Sequence, residues 1–206
     1  MPFPLNEHAQ RTIEKHFKKK IKGFSWTEEC LLAAIDGAKS KDDVYWAAIG
    51  LRKVGTEKAI PILCSLLSHP MKDVKCVAIL TIAHIGGGTA TTILAEALLS
   101  TAYREKGYAL WAIDDAADER AVPAVLAYFA KNKSKIKRGQ HAAGTFVEIV
   151  TYLARCRHIS PDAKQFLDEV PLFWRNICEG ERTELKKRVP ELAEQFEAAQ
   201  RSGTDG

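Results

Sequence analysis

Four carboxylates crowd together in Asp114, Asp115, Asp118 and Glu119, and Trp111 precedes Asp115 by four residues. Four residues are about one helical turn, so an indole and a carboxylate could share a face there. An acidic turn facing solvent is the plainer reading, and it is the one adopted. Other catalytic signals are thinner. Gly86, Gly87 and Gly88 follow a helical pattern rather than a strand, and no Lys-Ser or Lys-Thr pair follows them. They read as a helix cap and flexible turn, not a phosphate loop. No Gly-x-Ser-x-Gly elbow occurs. The five cysteines (Cys30, Cys64, Cys76, Cys156, Cys178) are scattered, with no CxxC pair. That argues against a zinc site or a disulfide framework and for a reducing cytoplasm. No catalytic residue, metal or cofactor is expected.

Charge and aromatic residues supply the binding candidates. The net charge of +4 permits a polyanion partner without demanding one. Lys15, Lys18, Lys19, Lys20 and Lys22 form one basic run; Lys131, Lys133, Lys135, Lys137 and Arg138 form another. The second is expected in an exposed edge loop, "KNKSKIKRG". From there Lys133, Lys135, Lys137 and Arg138 could contact phosphates without reading sequence. The alternative is a solvated loop and helix face. Trp46, Val77 and Tyr108 share one register, and Ile49, Leu80 and Trp111 another. Either this flank packs against the adjacent layer, or Trp111 is an exposed aromatic anchor for a partner.

These side chains must be positioned by a repeat. At an offset of 31, Ala47, Ala78 and Ala109 coincide, as do Leu51, Ile82 and Ile113, and Leu63, Leu94 and Val125. Val54, Ile85 and Ala116 match too, followed by Gly55, Gly86 and Ala117. No insertion is needed, which marks a true structural repeat. Each unit reads as two helices. The first runs from about Asp43 to Val54, its apolar residues spaced i, i+4, i+7. Gly55 and Gly86 stand where a left-handed cap favours glycine. Pro61 and Pro123 fall near the start of the second helix, where a missing N–H costs nothing. So small a pair cannot bury its own stripe and must stack on its neighbours.

The stretch "DDVYWAAIGLRKVGTEKAIPILCSLL" resembles a HEAT repeat, specifically the short HEAT-like kind associated with phycobilisome lyases. The resemblance implies an all-α fold, an α-solenoid of stacked helix pairs with terminal capping helices. Binders and enzymes alike use this scaffold. HEAT-like DNA glycosylases use an aromatic-plus-Asp arrangement to which Trp111 and Asp115 are loosely similar, but the surrounding sequence does not otherwise match. The six histidines form none of the His-Glu dyads of HEAT-repeat metal hydroxylases, so no iron site is implied.

Hydrophobic residues are 46% and charged residues 27% of 206, the balance of an ordinary soluble protein. No apolar run approaches the roughly 20 residues of a membrane span, and the N-terminus lacks a secretory apolar stretch. A single solenoid domain is expected: N-terminal helices over 1–42, three regular repeats over 43–129, and an irregular fourth repeat with capping helices over 130–206. Within it, "TEECLLAAIDGA" matches a preceding second helix, with Leu32 one period before Leu63. "HAAGTFVEIVTYLARC" matches a fourth first helix, and "GERTELKKRVPELAEQFEAAQ" is an end-helix interrupted at Pro190. The terminal "RSGTDG" is expected to fray. By the resemblance, the second helices line a concave side and project Lys58, Ser65, Glu96 and Arg120. The expected function is non-enzymatic recognition of another protein there, as in a toxin-neutralising immunity protein or an adaptor. Nucleic-acid binding through the lysine runs is one alternative, and a subunit of a lyase-type enzyme is the other.

Overall fold

The computed structural model describes residues 5–141 and 144–202. Among them are twelve α-helices, three 3-10 segments and no strand. The chain divides into two compact units, Met1–Ala117 and Asp118–Gly206.

The first unit holds α1 (Glu7–Lys18), α2 (Glu28–Asp36), α3 (Lys41–Val54), α4 (Ile60–Leu66), α5 (Lys72–Ile85), α6 (Gly87–Leu99) and α7 (Lys106–Ala116). The first helices α3, α5 and α7 pack in a row, while α2, α4 and α6 each pack on the first helix that follows. Ala47, Leu51, Ala78, Ile82, Ala109 and Ile113 are wholly buried along that row, and Leu63 and Leu94 are wholly buried from the second helices. The repeat therefore marks the residues each layer buries against the next. Alanine in the row lets helix axes approach closely, and leucine or isoleucine fills the space between them.

Three sequence expectations change here. Gly55 is extended (φ −71°, ψ 142°), not left-handed. It is glycine because a Cβ would stand 2.5 Å from the Leu51 carbonyl oxygen. Gly86 does take positive φ, at 76°, but α6 starts immediately at Gly87, so the expected flexible turn is absent. In α2 the fully buried leucine is Leu31, with Leu32 only half-buried. This helix thus sits 32 residues, not 31, before α4, because Leu31, Ala34 and Ile35 are the side chains that face α3 and the core. Leu31→Ala should cost about 2–5 kcal/mol, like Leu51→Ala, Leu63→Ala or Ile82→Ala, while Leu32→Ala should cost less than about 1. Urea unfolding of the two α2 variants checks this, and equal losses would restore the 31-residue register.

Buried carboxylates tie the layers. Glu28, at the start of α2, accepts the Thr56 N–H at 2.6 Å and the Thr56 hydroxyl at 2.9 Å, fixing the turn that follows α3. Asp43 closes a capping box with Ser40 at the start of α3. Its Oδ2 accepts the N–H groups of Lys39 (3.2 Å) and Ser40 (3.1 Å). Its Oδ1 accepts Lys20 Nζ and lies 2.7 Å from His16 Nε2, which fastens the end of α1 to α3.

The second unit holds α8 (Val122–Lys137), α9 (Thr145–Cys156), α10 (Pro161–Glu169), a 3-10 segment (Val170–Asn176), α11 (Glu179–Arg188) and α12 (Pro190–Ser202). Pro190 opens α12, as its lack of an N–H favours. The expected loop "KNKSKIKRG" is instead the end of α8. Ile136 is wholly buried seven residues after buried Phe129, so one apolar stripe carries the helix through the lysines. The first-helix pattern expected from His141 becomes helix only at Thr145; residues 142–143 lie outside the described residues. At the other end, Arg201 and Ser202 of "RSGTDG" belong to α12, and 203–206 lie outside the described residues. Gly144 caps α9 without a side chain, and buried Glu181 of α11 supplies the missing acceptor, taking the Phe146 N–H at 3.2 Å. The same carboxylate holds His141 Nε2 at 2.7 Å.

Candidate partner-binding surface

With Leu63 and Leu94 turned wholly inward, the second helices present their other faces to solvent. Ser65 and Glu96 follow those leucines by two residues, about 200° around the helix, and both are exposed. The Ser65 hydroxyl donates to the Ile62 carbonyl at 2.7 Å, so it offers a partner mainly its oxygen lone pairs. Glu96 is in no ion pair among the described residues, and its charge adds to burial in pushing the Cys64 thiol up. Lys58 is exposed but stands on a 3-10 segment (Glu57–Ala59) that leads into α4, not on α4 itself. Ala33 of α2 is exposed, and Cys64 of α4 and Ala95 of α6 are half-buried. Lys58, Ser65 and Glu96 thus project beside half-buried Ile62 and Ile93 and exposed Leu99.

The family model for HEAT repeats matches residues 29–114. This segment is a HEAT-repeat array. No curated protein and no solved structure matches the chain. HEAT repeats generally mediate protein–protein interaction. Lys58, Ser65, Glu96 and Trp111 fall within the HEAT array; Arg120 and the second basic run fall outside it, in the second unit.

Arg120 is exposed and already engaged. Asp118 accepts its backbone N–H at 3.1 Å, its Nε at 2.9 Å and its Nη2. That hydrogen-bonded carboxylate raises the guanidinium pKa further. The fork is held in place, with fewer donors left for a partner. Asp118 also caps the 3-10 segment Glu119–Ala121, and its carbonyl accepts the Tyr152 hydroxyl at 2.7 Å. The four carboxylates are therefore not one solvated turn. Asp114 is buried and Asp115 half-buried in α7 of the first unit, whereas Asp118 is used structurally in the second unit.

The second basic run is helical and partly engaged. Lys133 Nζ stands 3.9 Å from Glu169, and Lys137 Nζ lies 4.7 Å over the Phe173 ring. Arg138 Nε donates to the Ser134 carbonyl at 2.9 Å, and Lys135 is exposed. In the first run, Lys20 is taken by Asp43 and Lys18 pairs with Glu14, whereas Lys15, Lys19 and Lys22 are exposed. On the aromatic flank, Val77 and Leu80 are buried, while Trp46, Tyr108 and Trp111 are half-buried. Trp111 and Tyr108 stand 6.2 Å apart on α7. Packing thus takes the middle of this flank, and only its ends keep accessible rings.

Sequence reasoning overlooked the cluster of His16, Lys20 and Asp43. Beside it opens a pocket of about 400 Å3, floored by Phe17, Ile21 and Ala34. The available signal was Ser40 three residues before Asp43, a helix-start pattern, but nothing in the spacing named Lys20 or His16 as partners. Among the described residues, no group of three or more His, Cys, Asp or Glu could hold a metal ion, and no helix is long and apolar enough to cross a membrane.

Proposed function

We propose that this protein is a non-enzymatic binding module that recognises another protein through the outer face of its second helices, the concave side in the family it resembles. Lys58, Ser65 and Glu96 are the contacts in the HEAT array, and Arg120 is a further contact from the second unit. The observation that carries this reading is the pairing of wholly buried Leu63 and Leu94 with exposed Ser65 and Glu96. The helices spend one face on the core and leave the other to a partner. Packing holds these helices rigid, so binding requires little ordering. Function is then occupancy of a partner's surface, as a toxin-neutralising immunity protein or an adaptor would use it.

Affinity capture from the source cell with wild type and a charge-reversed variant tests this reading. Lys58→Glu with Glu96→Lys should weaken the captured complex at least tenfold, about 1.4 kcal/mol, without unfolding the protein. Trp111→Ala is the comparison. Loss of the partner in Trp111→Ala alone would place the interface on the first helices and defeat the proposal. Exposed Lys15, Lys19 and Lys22 favour a second reading, a phosphate backbone held by the first basic run. The preferred reading expects little nucleic-acid affinity at physiological salt. Submicromolar binding that falls steeply with salt would favour the second.

A further inference from the structure

Arg52, in the last turn of α3, is a half-buried cation with no carboxylate paired to it among the described residues. Its Nε donates to the Thr81 hydroxyl oxygen of α5 at 3.3 Å, and that hydroxyl donates to the Ala48 carbonyl at 3.0 Å. Thr81 is wholly buried, so this relay fixes where the guanidinium stands. Among the described residues, Nη1 and Nη2 have no hydrogen-bond partner, and neither is sealed from solvent. The acids of α3 and α5 are Asp42, Asp43 and Asp73, all in first turns and far along the helix from Arg52. Half-buried Tyr45, two turns before Arg52, is near enough to act on the guanidinium. Its hydroxyl also lacks a hydrogen-bond partner among the described residues.

Burial holds the guanidinium pKa below its usual value, and Tyr45 acts the other way. A guanidinium stays charged all the same, so folding strips part of its water without supplying a counter-ion. The C-terminal dipole of α3 favours a cation, but exposed Lys53 in the same turn already provides one. The dipole therefore does not explain a cation that is half-buried and held by Thr81. With Nε taken, the Nη1–Nη2 edge remains, and its two parallel donors match the two oxygens of a carboxylate. A nucleic-acid backbone needs further cations in line. Here Lys53 is turned to Gln10 and the Trp26 ring, and Lys75 of α5 pairs with Glu105. One fork and one hydroxyl suit a single negative charge.

We propose that the Arg52 fork, with the Tyr45 hydroxyl, binds an aspartate or glutamate side chain of a protein partner. Arg52 lies on a first helix, so the proposal goes beyond the second-helix surface and stands whether or not that surface is the main contact. The test follows the Arg52 Nε–H and Thr81 backbone N–H resonances while the protein is titrated with N-acetyl-glutamate amide. Parallel arms at the same ionic strength use the neutral isostere N-acetyl-glutamine amide and, as a probe of nucleic-acid backbone, dimethyl phosphate. A saturable shift in the millimolar range is expected with the glutamate amide, with at least threefold weaker binding of the other two. Tyr45→Phe should weaken the glutamate amide at least twofold. Arg52→Met should abolish the response at Thr81 and leave the thermal midpoint unchanged or raised, because an apolar chain replaces a buried cation that has no counter-ion. A midpoint lowered by more than about 4 °C would make Arg52 a structural residue and overturn the assignment. So would a lack of saturation, an equal response to the glutamine amide, tighter binding of dimethyl phosphate, or an undiminished response in either variant.

Discussion

Trp174→Ala should cost about 3–5 kcal/mol, the range expected for emptying the space of a buried tryptophan. Trp174 is only 1% exposed and sits in the 3-10 segment Val170–Asn176, which has no long backbone ladder of its own. Side chains hold that segment in place. Trp174 packs 5.3 Å from Phe196 of α12, while neighbouring Phe173 stacks at 6.0 Å from Phe129 of α8 and meets Phe146 of α9 at 5.8 Å. One short segment thus joins three helices of the second unit, and removing its largest ring leaves a cavity its rigid neighbours cannot close. Trp174→Phe should recover most of the loss because it refills most of the volume. Urea unfolding followed by far-ultraviolet circular dichroism measures both variants. A loss below about 1 kcal/mol for Trp174→Ala would mean that the segment is not part of the core.

The second large effect belongs to Asp43. Burial works against its charge, but hydrogen bonds from Lys20, His16, Ser40 and the Lys39 N–H outweigh burial and hold its carboxyl well below the usual carboxylate range. Asp43→Asn should cost about 3 kcal/mol, the low end for a broken buried pair, because Lys20 is 46% exposed and can turn to water. The pH dependence has a definite sign. The folded pKa is depressed, so the stabilisation is fully present above the unfolded value of about 4 and fades as pH falls toward the folded value. The gap between wild type and Asp43→Asn should be constant from about pH 7 to 5 and shrink below about 4. A gap that instead widens in acid would mean that Asp43 is not ionised in the folded protein. The variant should also loosen α1, since His16 and Lys20 lose the acceptor that fastens them to α3.

Much of this was legible in the residues themselves. Spacing at 31 residues named the buried stripe of α3, α5 and α7, and Ala47, Ile82 and Ile113 are in fact wholly buried. Pro61 and Pro123 marked helix starts because each fits a first turn for a reason internal to its own ring, whereas Pro190, expected to interrupt a helix, opens one. The HEAT resemblance rested on the same repeat, and the family match covers the stripe positions of α3, α5 and α7. Of the candidate surface, the exposure of Lys58, Ser65 and Glu96 could be read from their distance from the stripe.

Tertiary structure decided what periodicity cannot encode. A repeat reports the positions that every layer uses alike, and it is blind to a contact made once. Asp43 depends on His16 and Lys20, and Glu28 on Thr56, each pair far apart in sequence and present in a single copy. The one-residue shift of α2 arose because Leu31, rather than Leu32, reaches the core. Polar composition pointed to a loop at 131–138, but one buried residue, Ile136, extended the stripe and kept the chain helical through Lys137. Gly55 followed from the close approach of the Leu51 carbonyl, a distance no local signal announces. Local chemistry determined where helices begin and which faces they bury. Only the packed chain determined which charges those faces would hold, because a buried charge needs partners and the fold alone brings them together.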